Sequence, residues 1–261
     1  MGFYKEKLVE LPKKGYAIVV TDIHGNLNDY NKYISIWEKC NEKNVHFILT
    51  GDFIHAFGEK KDESIKILES VKHNFEKYEN FHALLGNHEW STISRVSVYK
   101  GSVNQSLNFE SHLKERFKEN WKIKLEEYQN FFKTLPVAVK TDNKVFISHG
   151  GPPKNVKSLD EIVHIADNGY IENTMLYQLL WNREDDFTNR ELKEFLRAVG
   201  CSAMIVGHTP VDGIKMVGKE QVILSSSYTL GKKSYIILDL EKKIRDANDL
   251  LKMEKKLHWY N

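Results

Sequence analysis

The chain has 261 residues, of which 41% are apolar and 28% are charged, and these proportions are typical of a globular protein and exclude wholesale disorder. Thirty-eight basic side chains against thirty-six acidic ones leave a formal charge of +2, so long-range electrostatics predict neither a nucleic-acid nor a membrane partner. The two cysteines, Cys40 and Cys201, are too few for a disulfide framework or a zinc finger.

Targeting and membrane-spanning segments are not expected from the sequence. The first ten residues include four charged side chains, which argues against a secretory leader. No apolar run approaches the ~18 residues needed to cross a bilayer. We therefore expect a reduced, cytoplasmic, globular protein, and the sequence leaves its oligomeric state open.

Five short apolar runs predict buried strands. Each is rich in Val, Ile, Leu or Phe, is too short for a stable helix and lacks strict alternation, as expected of strands covered on both faces. Apolar residues three and four apart follow the first two runs and predict helices, as with Tyr30, Tyr33 and Trp37. This alternation predicts an α/β domain with parallel pairing. The five runs are residues 16–21, 45–50, 81–85, 144–148 and 202–206.

The rest of the chain predicts further elements of the same domain. A helical insertion is expected over about 91–134, with its apolar periodicity strongest over 107–134. Since no repeat or flexible linker divides the chain, we predict a single domain spanning 1–261. The other predicted elements are a helical block at 158–198 interrupted near 182–188, short antiparallel strands at 213–217, 221–224 and 234–240, and a charged helical tail at about 241–261.

A glycine-flanked Asp, Asn or His follows each of the five strand-like runs. Because ligand sites in open α/β sheets lie off the carboxyl ends of the strands, these side chains would meet in one crevice if the strands are neighbours. The five segments are Thr21-Asp22-Ile23-His24-Gly25-Asn26, Gly51-Asp52, Gly86-Asn87-His88-Glu89, His149-Gly150-Gly151 and Gly207-His208-Thr209.

This set of side chains suits a pair of divalent transition-metal ions. Imidazole favours Mn, Fe, Zn or Ni over Ca or Mg, and the sequence does not decide among those four. Asp22 and His24 alternate on one extended segment and could bind the same ion, while Asp52 could bridge two. Two ions about 3.5–4 Å apart can hold an attacking hydroxide and stabilise displacement at phosphorus.

The ordered segments DIHGN, GD, GNHE, HGG and GHT resemble the metal-binding motifs of the phosphoprotein phosphatase family, within the calcineurin-like metallophosphoesterases. They occur in family order from Asp22 to His208, about 70% of the chain. The resemblance implies a sandwich of two mixed β-sheets flanked by helices. It also implies a dinuclear hydrolase, with manganese among the metals considered, acting on phosphorylated proteins or small phosphomonoesters.

The resemblance also implies roles for individual residues. His88 would protonate the leaving group, and Arg183, in Trp181-Asn182-Arg183-Glu184, resembles the arginine that bacterial and phage relatives supply to the phosphate. Asn87 and His88 would also contact the phosphate. The implied ligands are Asp22, His24 and Asp52 for the first metal, and Asp52, Asn87, His149 and His208 for the second.

The second motif departs from the family pattern. His55 stands where an aspartate normally orients the catalytic histidine, and Ala56 stands where an arginine normally binds phosphate. Loss of that contact should cost about 1.5–3 kcal/mol of phosphate binding. Loss of the aspartate should lower the pKa of His88. We therefore predict a working hydrolase with reduced generic monoesterase activity or a shifted substrate preference, with His55 as a possible catalytic helper.

Two other functions remain open at this point. The same motifs could serve a nucleotide or dinucleoside polyphosphate hydrolase, or a metal-binding module that has lost catalysis. Among single residues, Glu89 is expected to support structure, Arg183 could instead pair with the acidic residues that follow it, and Tyr228 could reach the site. The six histidines outside the motifs, His46 and His82 among them, are expected to have packing or surface roles.

Overall fold

The computed structural model describes residues 3–40, 44–56, 61–100 and 103–257. Within these ranges the strands are Tyr4–Lys5 (β1), Leu8–Leu11 (β2), Tyr16–Val20 (β3), Val45–Leu49 (β4), Phe81–Ala83 (β5), Tyr99–Lys100 (β6), Val103–Asn104 (β7), Ala138–Thr141 (β8), Val145–Ser148 (β9), Ala203–Val206 (β10), Ile214–Val217 (β11), Gln221–Leu224 (β12), Ser234–Asp239 (β13) and Glu254–Lys256 (β14).

The helices flank these strands. None within the described ranges is both long and apolar enough to cross a membrane. The α-helices are Leu27–Lys39 (α1), Ser64–Lys77 (α2), Asn87–Ser94 (α3), Gln105–Phe117 (α4), Trp121–Thr134 (α5), Leu159–Val163 (α6), Thr174–Trp181 (α7), Asn189–Ala198 (α8) and Ala247–Leu251 (α9).

Two mixed sheets form the predicted sandwich. The larger has the strand order β1-β2-β8-β9-β10-β12-β11 and the smaller has the order β14-β13-β3-β4-β5, while β6 and β7 form a separate hairpin. The predicted parallel pairing is confirmed for β3, β4 and β5 and again for β9 and β10. The first three and last two predicted strands therefore lie in different sheets.

Burial on both faces explains why the strands lack alternation. In β3, Ala17 and Val19 pack between the two sheets together with Ile48 of β4. The intervening Ile18 and Val20 belong to the cluster that includes helix residues such as Trp37 of α1. Both faces are therefore apolar, and the period-2 pattern disappears.

Several predicted elements need correction. The strand at 221–224 pairs parallel with β10 and antiparallel with β11, so it is not part of an antiparallel block. The insertion is not one long helix: it contains the β6–β7 hairpin, and a short 3₁₀ turn separates α4 from α5. The prediction of a helical tail over about 241–261 is wrong in part, because the helix α9 is followed by the edge strand β14. Residues 258–261 of this tail lie outside the described ranges.

Candidate metal centre

The loops after β3 and β4 are bonded to each other along their backbones. The amides of Ile23 and His24 both donate to the carbonyl of Asp52, each at 2.9 Å. The chain then turns into α1, whose first turn is capped by Asn26, since its side chain accepts from the amide of Asp29 at 3.0 Å. Two separate motifs therefore become one rigid unit.

Glycine is required where the loops approach each other. A Cβ on Gly51 would lie 2.4 Å from the amide nitrogen of Gly86, and a Cβ on Gly207 would lie 2.2 Å from Oδ1 of Asp22. Gly51 also has a φ of +106°, which side chains with a Cβ rarely adopt. These glycines let the motif loops pack against one another.

Three of the predicted ligands have left-handed backbone conformations. The φ angles are +48° at His24, +51° at Asp52 and +61° at His208. Residues other than glycine adopt such angles at a cost of about 1–3 kcal/mol each, and they cluster at functional sites. The same backbone conformation also occurs outside the motifs, as at Lys118 and Lys144, so it accompanies the motifs without defining them.

The buried carboxylate of Asp52 lies at the centre of the site. Its Oδ2 is 3.8 Å from Nε2 of His24, 3.7 Å from Nε2 of His88 and 3.4 Å from Nε2 of His149. Its Oδ1 accepts a hydrogen bond from the amide of His88 at 3.0 Å. One oxygen therefore faces three imidazole nitrogens, in the position expected of a bridging ligand.

His149, Asn87 and His208 meet on the other side of Asp52. Nε2 of His149 is 2.8 Å from Oδ1 of Asn87 and 3.2 Å from Nδ1 of His208. Nδ1 of His149 is 3.1 Å from the carbonyl of Thr50, to which it must donate, so Nε2 is the nitrogen available to a ligand. Within the described ranges, the buried Nε2 of His208 has no hydrogen-bond partner.

Asp22 joins the two sheets. Its carboxylate accepts from the amide of His208 at 3.0 and 3.1 Å, and its Oδ2 lies 3.8 Å from Nε2 of His24. The carboxylate thus bonds to a residue of the larger sheet and stays close to the histidine of its own loop. The structure brings all six predicted ligands together.

The electrostatics of the cluster favour a cation. Burial disfavours the charged forms of both Asp52 and His149, but their mutual attraction outweighs it. The pKa of Asp52 falls well below its usual range and that of His149 rises to about 9. Burial and the charge on His149 hold the pKa of His208 well below its usual range. The buried carboxylates are thus stabilised by positive charge at this position, and a proton on His149 supplies part of it.

Glu89 supports the Asp52 loop. Its carboxylate accepts from the amides of Asp52 (2.8 Å), Phe53 (3.1 Å) and Gly86 (3.1 Å). Burial and the charge on Asp52 raise the pKa of Glu89 to about 8. Its oxygens are used by backbone donors, which agrees with the predicted structural role.

His55 lies against His88. Their Nδ1 atoms are 2.7 Å apart, so one nitrogen donates and the other accepts. The ring of Phe109, from α4 of the insertion, packs edge-on against His55 with centroids 5.4 Å apart. The insertion therefore contacts the site through Phe109 and His55, and no local motif indicates this contact. His55 and His88 are in contact as predicted, while the lowered pKa of His88 stays a prediction.

A carboxylate approaches the position where the family has its arginine. The amide of Ala56 lies 3.4 Å from Oδ2 of Asp62, and Asp62 also caps the amide of Ser64 at 2.8 Å. The next residues of the motif, Phe57 and Gly58, lie outside the described ranges. The sequence reasoning did not identify Asp62, because it belongs to no motif and its proximity is tertiary.

Arg183 is exposed at the end of α7. Its backbone amide donates to Asp186 at 2.8 Å, but within the described ranges its guanidinium forms no ion pair. Glu184 pairs with Lys215 at 2.6 Å instead. After burial and the charge on His149, the charge of Arg183 also contributes to the low pKa of His208. The alternative that Arg183 pairs with the acids that follow it is not supported.

The donor set fits divalent metal ions. Two groups of atoms from three residues each lie within 4.8 Å of one another, and they share Asp52. Carboxylate oxygens with imidazole nitrogens are the ligands that Zn, Mn, Fe and Ni accept. The groups are His24, Asp52 and His88, and Asp52, His149 and His208.

The profile of the calcineurin-like phosphoesterase family matches residues 17–212, which is three quarters of the chain. The chain belongs to the calcineurin-like phosphoesterase family. A probable serine/threonine-protein phosphatase of Encephalitozoon cuniculi is 28% identical over 257 residues, covering 90% of this chain. The phosphoesterase chain spans only about half of that curated relative, 52% of its length. The predicted membership of the calcineurin-like phosphoesterases is confirmed.

Solved structures share the fold. A serine/threonine phosphatase from Saccharomyces cerevisiae with similarity to human phosphatase PP5 aligns with a TM-score of 0.66 at 17% identity, over 90% of this chain and 77% of that one. A cold-active protein-tyrosine phosphatase of a Shewanella species aligns with a TM-score of 0.62 at 16% identity, over 97% and 82%. At these identities the likeness establishes the predicted sandwich fold.

Proposed function

We propose that this phosphoesterase is a dinuclear metal-dependent phosphohydrolase that acts on phosphomonoesters, with phosphorylated serine or threonine side chains of proteins as its main substrate class. The observation that carries the proposal is the Asp52 carboxylate, which faces imidazoles on two sides. The relative from E. cuniculi, named a probable serine/threonine-protein phosphatase, supports the choice of substrate.

The proposed ligands come from both sheets. Asp22 and His24 would hold one ion, Asn87, His149 and His208 would hold the other, and Asp52 would bridge them. Two bound divalent ions would lower the pKa of a water molecule toward neutrality and stabilise charge at phosphorus. The ions are proposed to be manganese, iron, zinc or nickel, and we propose manganese for the first assays.

His88 would protonate the leaving oxygen, and His55 would orient the imidazole ring of His88. The Nδ1–Nδ1 contact of 2.7 Å fixes the plane of the His88 ring, while its Nε2 points toward Asp52 at 3.7 Å. An imidazole suits this task because its ordinary pKa is close to neutral pH.

Arg183 would bind the phosphoryl oxygens. Its guanidinium makes no ion pair within the described ranges, and its charge is felt at His208. A planar guanidinium can donate to two phosphate oxygens at once. Because Ala56 lacks a charge and has the Asp62 carboxylate nearby, Arg183 would carry the phosphate contact without a second arginine from that loop. Weak activity on small generic monoesters follows.

The test combines elemental analysis of the purified protein with a phosphoester screen. A phosphoserine peptide, a phosphotyrosine peptide, p-nitrophenyl phosphate and a dinucleoside tetraphosphate are compared at equal metal loading. We expect two metal equivalents and the highest kcat/KM on the phosphoserine peptide. Preference for the dinucleoside tetraphosphate would replace the substrate assignment, and two bound metals without turnover of any ester would make the domain a binding module. A cytoplasmic location and the absence of a nucleic-acid partner remain proposals from the composition.

A further inference from the structure

A buried polar cluster outside the ligand set joins the segment after β12 to the start of α1. Asp29 and Lys233 form an ion pair, and their side chains are only 1% and 6% exposed. Oδ2 of Asp29 also accepts hydrogen bonds from Oγ of Ser227 at 2.6 Å and from Nδ2 of Asn26 at 3.0 Å. We call these four residues, Asn26, Asp29, Ser227 and Lys233, the clamp.

The clamp lies where the chain crosses between the sheets. Residues 225–233 connect β12 of the larger sheet to β13 of the smaller one. Within this crossing, Ser226 Oγ accepts from the amide of Thr21 at 2.9 Å and donates to the carbonyl of Ser234 at 2.8 Å. Thr21 directly precedes Asp22, and α1 begins directly after the Asp22 loop. The crossing is therefore bonded to both ends of that loop.

This position matters because the metal centre takes its proposed ligands from both sheets. Asp22 and His24, Asp52, and Asn87 follow β3, β4 and β5 of the smaller sheet, whereas His149 and His208 follow β9 and β10 of the larger one. Any sliding of one sheet over the other would move His149 and His208 relative to Asp52 and Asn87, with which they would share the second ion. The apolar contacts between the sheets are non-directional, whereas hydrogen bonds have a defined geometry.

Stability alone does not account well for such a cluster. A buried ion pair contributes little net stability because desolvation offsets the attraction, and its best-attested use is to specify one arrangement. Within the described ranges, the buried Oδ1 of Asp29 has no hydrogen-bond partner, so the carboxylate is bound through one oxygen only. The buried charges of Asp29 and Lys233 are therefore better explained by the arrangement that they specify than by added stability.

We propose that Asp29 and Lys233 are positioning residues that fix the metal ligands of the smaller sheet relative to His149 and His208 of the larger sheet. The inference rests on the proposed dinuclear function. It predicts that a broken clamp alters the second metal site even in protein that remains folded.

The test compares wild-type protein, Lys233→Met and Tyr128→Phe, each with two equivalents of Mn(II). Tyr128→Phe removes a buried hydroxyl that donates to Glu69 on the insertion side, so it controls for lost stability. Calorimetry measures the affinity for the second ion, and electron paramagnetic resonance measures the exchange coupling of the Mn(II) pair, which depends on their bridging and separation. In Lys233→Met we expect about tenfold weaker binding of the second ion and reduced coupling, with both unchanged in Tyr128→Phe.

Each outcome is decisive. Wild-type affinity and coupling in Lys233→Met would overturn the positioning role, as would equal losses in Tyr128→Phe. If Lys233→Met does not fold, Ser227→Ala keeps the ion pair and removes one hydrogen bond; we then expect about threefold weaker binding of the second ion, and no change would overturn the role. A wild-type protein without a coupled pair would instead refute the dinuclear function, and the clamp with it.

Discussion

Two groups of buried histidines differ in what surrounds them. His149, directly after β9 of the larger sheet, is close to Asp52, and the attraction outweighs burial, so its pKa rises to about 9. His46 and His82, within β4 and β5 of the smaller sheet, form a remote pair: they stack on each other with Nδ1 and Nε2 3.0 Å apart. Burial lowers the pKa of His46 to about 4. Burial and the nearby charge of His46 together lower the pKa of His82 to about 3.

The difference between these groups is the carboxylate. His149 lies beside a buried aspartate, whose negative charge favours a positive charge nearby, from a proton or a metal ion. The pair of His46 and His82 has uncharged neighbours instead. The hydroxyl of Tyr4 lies 3.0 Å from Nδ1 of His82, and the ring of Phe3 packs edge-on against both imidazoles. The same side chain is thus a ligand candidate in one place and a neutral packing group in the other.

The largest expected effect comes from removing the shared carboxylate. Asp52→Asn should abolish metal retention and reduce kcat/KM by about a thousandfold or more, because one oxygen faces three imidazoles. Elemental analysis and phosphopeptide kinetics measure both effects. Asp142→Asn, at an exposed carboxylate on the surface, is the matched control. A fully active Asp52→Asn protein would refute the metal centre.

The next effect tests the leaving-group role of His88. His88→Asn should reduce kcat on a phosphoserine peptide by about 100- to 1,000-fold, because the alkoxide then leaves without a proton. The loss should be much smaller with p-nitrophenyl phosphate, whose leaving group needs no protonation, and both metals should be retained. His164→Asn, at an exposed histidine that pairs with Asp167, should change nothing. Equal losses on both substrates would contradict the acid role.

Arg183 should show a smaller effect. Arg183→Ala is expected to lower kcat/KM by about ten- to a hundredfold through loss of a charge-assisted phosphate contact. Metal content should stay unchanged. Arg190→Ala, which removes an exposed arginine paired with Glu194 at 2.8 Å, is the control. If the two variants have the same kinetics, Arg183 does not bind the phosphate.

The smallest effect concerns the remote pair and the pH dependence of stability. His82 is neutral when folded and has a pKa of about 3, so the unfolded chain binds more protons below the usual histidine pKa. The stability it contributes is complete above about pH 6.5 and is lost as the pH falls toward 3. Urea unfolding between pH 6.5 and 4.5 should show a slope in wild-type protein that His82→Leu reduces by up to about 1.4 kcal/mol per pH unit.

The control for this slope is His73→Leu, at an exposed histidine, which is expected to leave it unchanged. Activity at neutral pH should survive in His82→Leu, in contrast to the metal-centre variants. An unaltered slope in His82→Leu would mean that the remote pair does not titrate as its burial indicates.

The sequence by itself indicated the five central strands and the side chains that converge beyond them. The runs at 16–21 and 45–50 are recognisable because their apolar residues are continuous, and the residues that follow are restricted to Gly, Asp, Asn and His by the turn and the chemistry. The parallel pairing of β3 with β4 and the convergence of Asp22, His24 and Asp52 follow from these local signals.

Only the tertiary structure decided which strands share a sheet and what surrounds the ligands. The direction of β12, the contact of Phe109 with His55, the carboxylate of Asp62 beside Ala56 and the buried pair of Asp29 with Lys233 all join residues that no local pattern relates. The physical reason is that hydrophobic periodicity reports whether a face is buried but not what covers it. Partners of buried charges are chosen by the packing of distant segments.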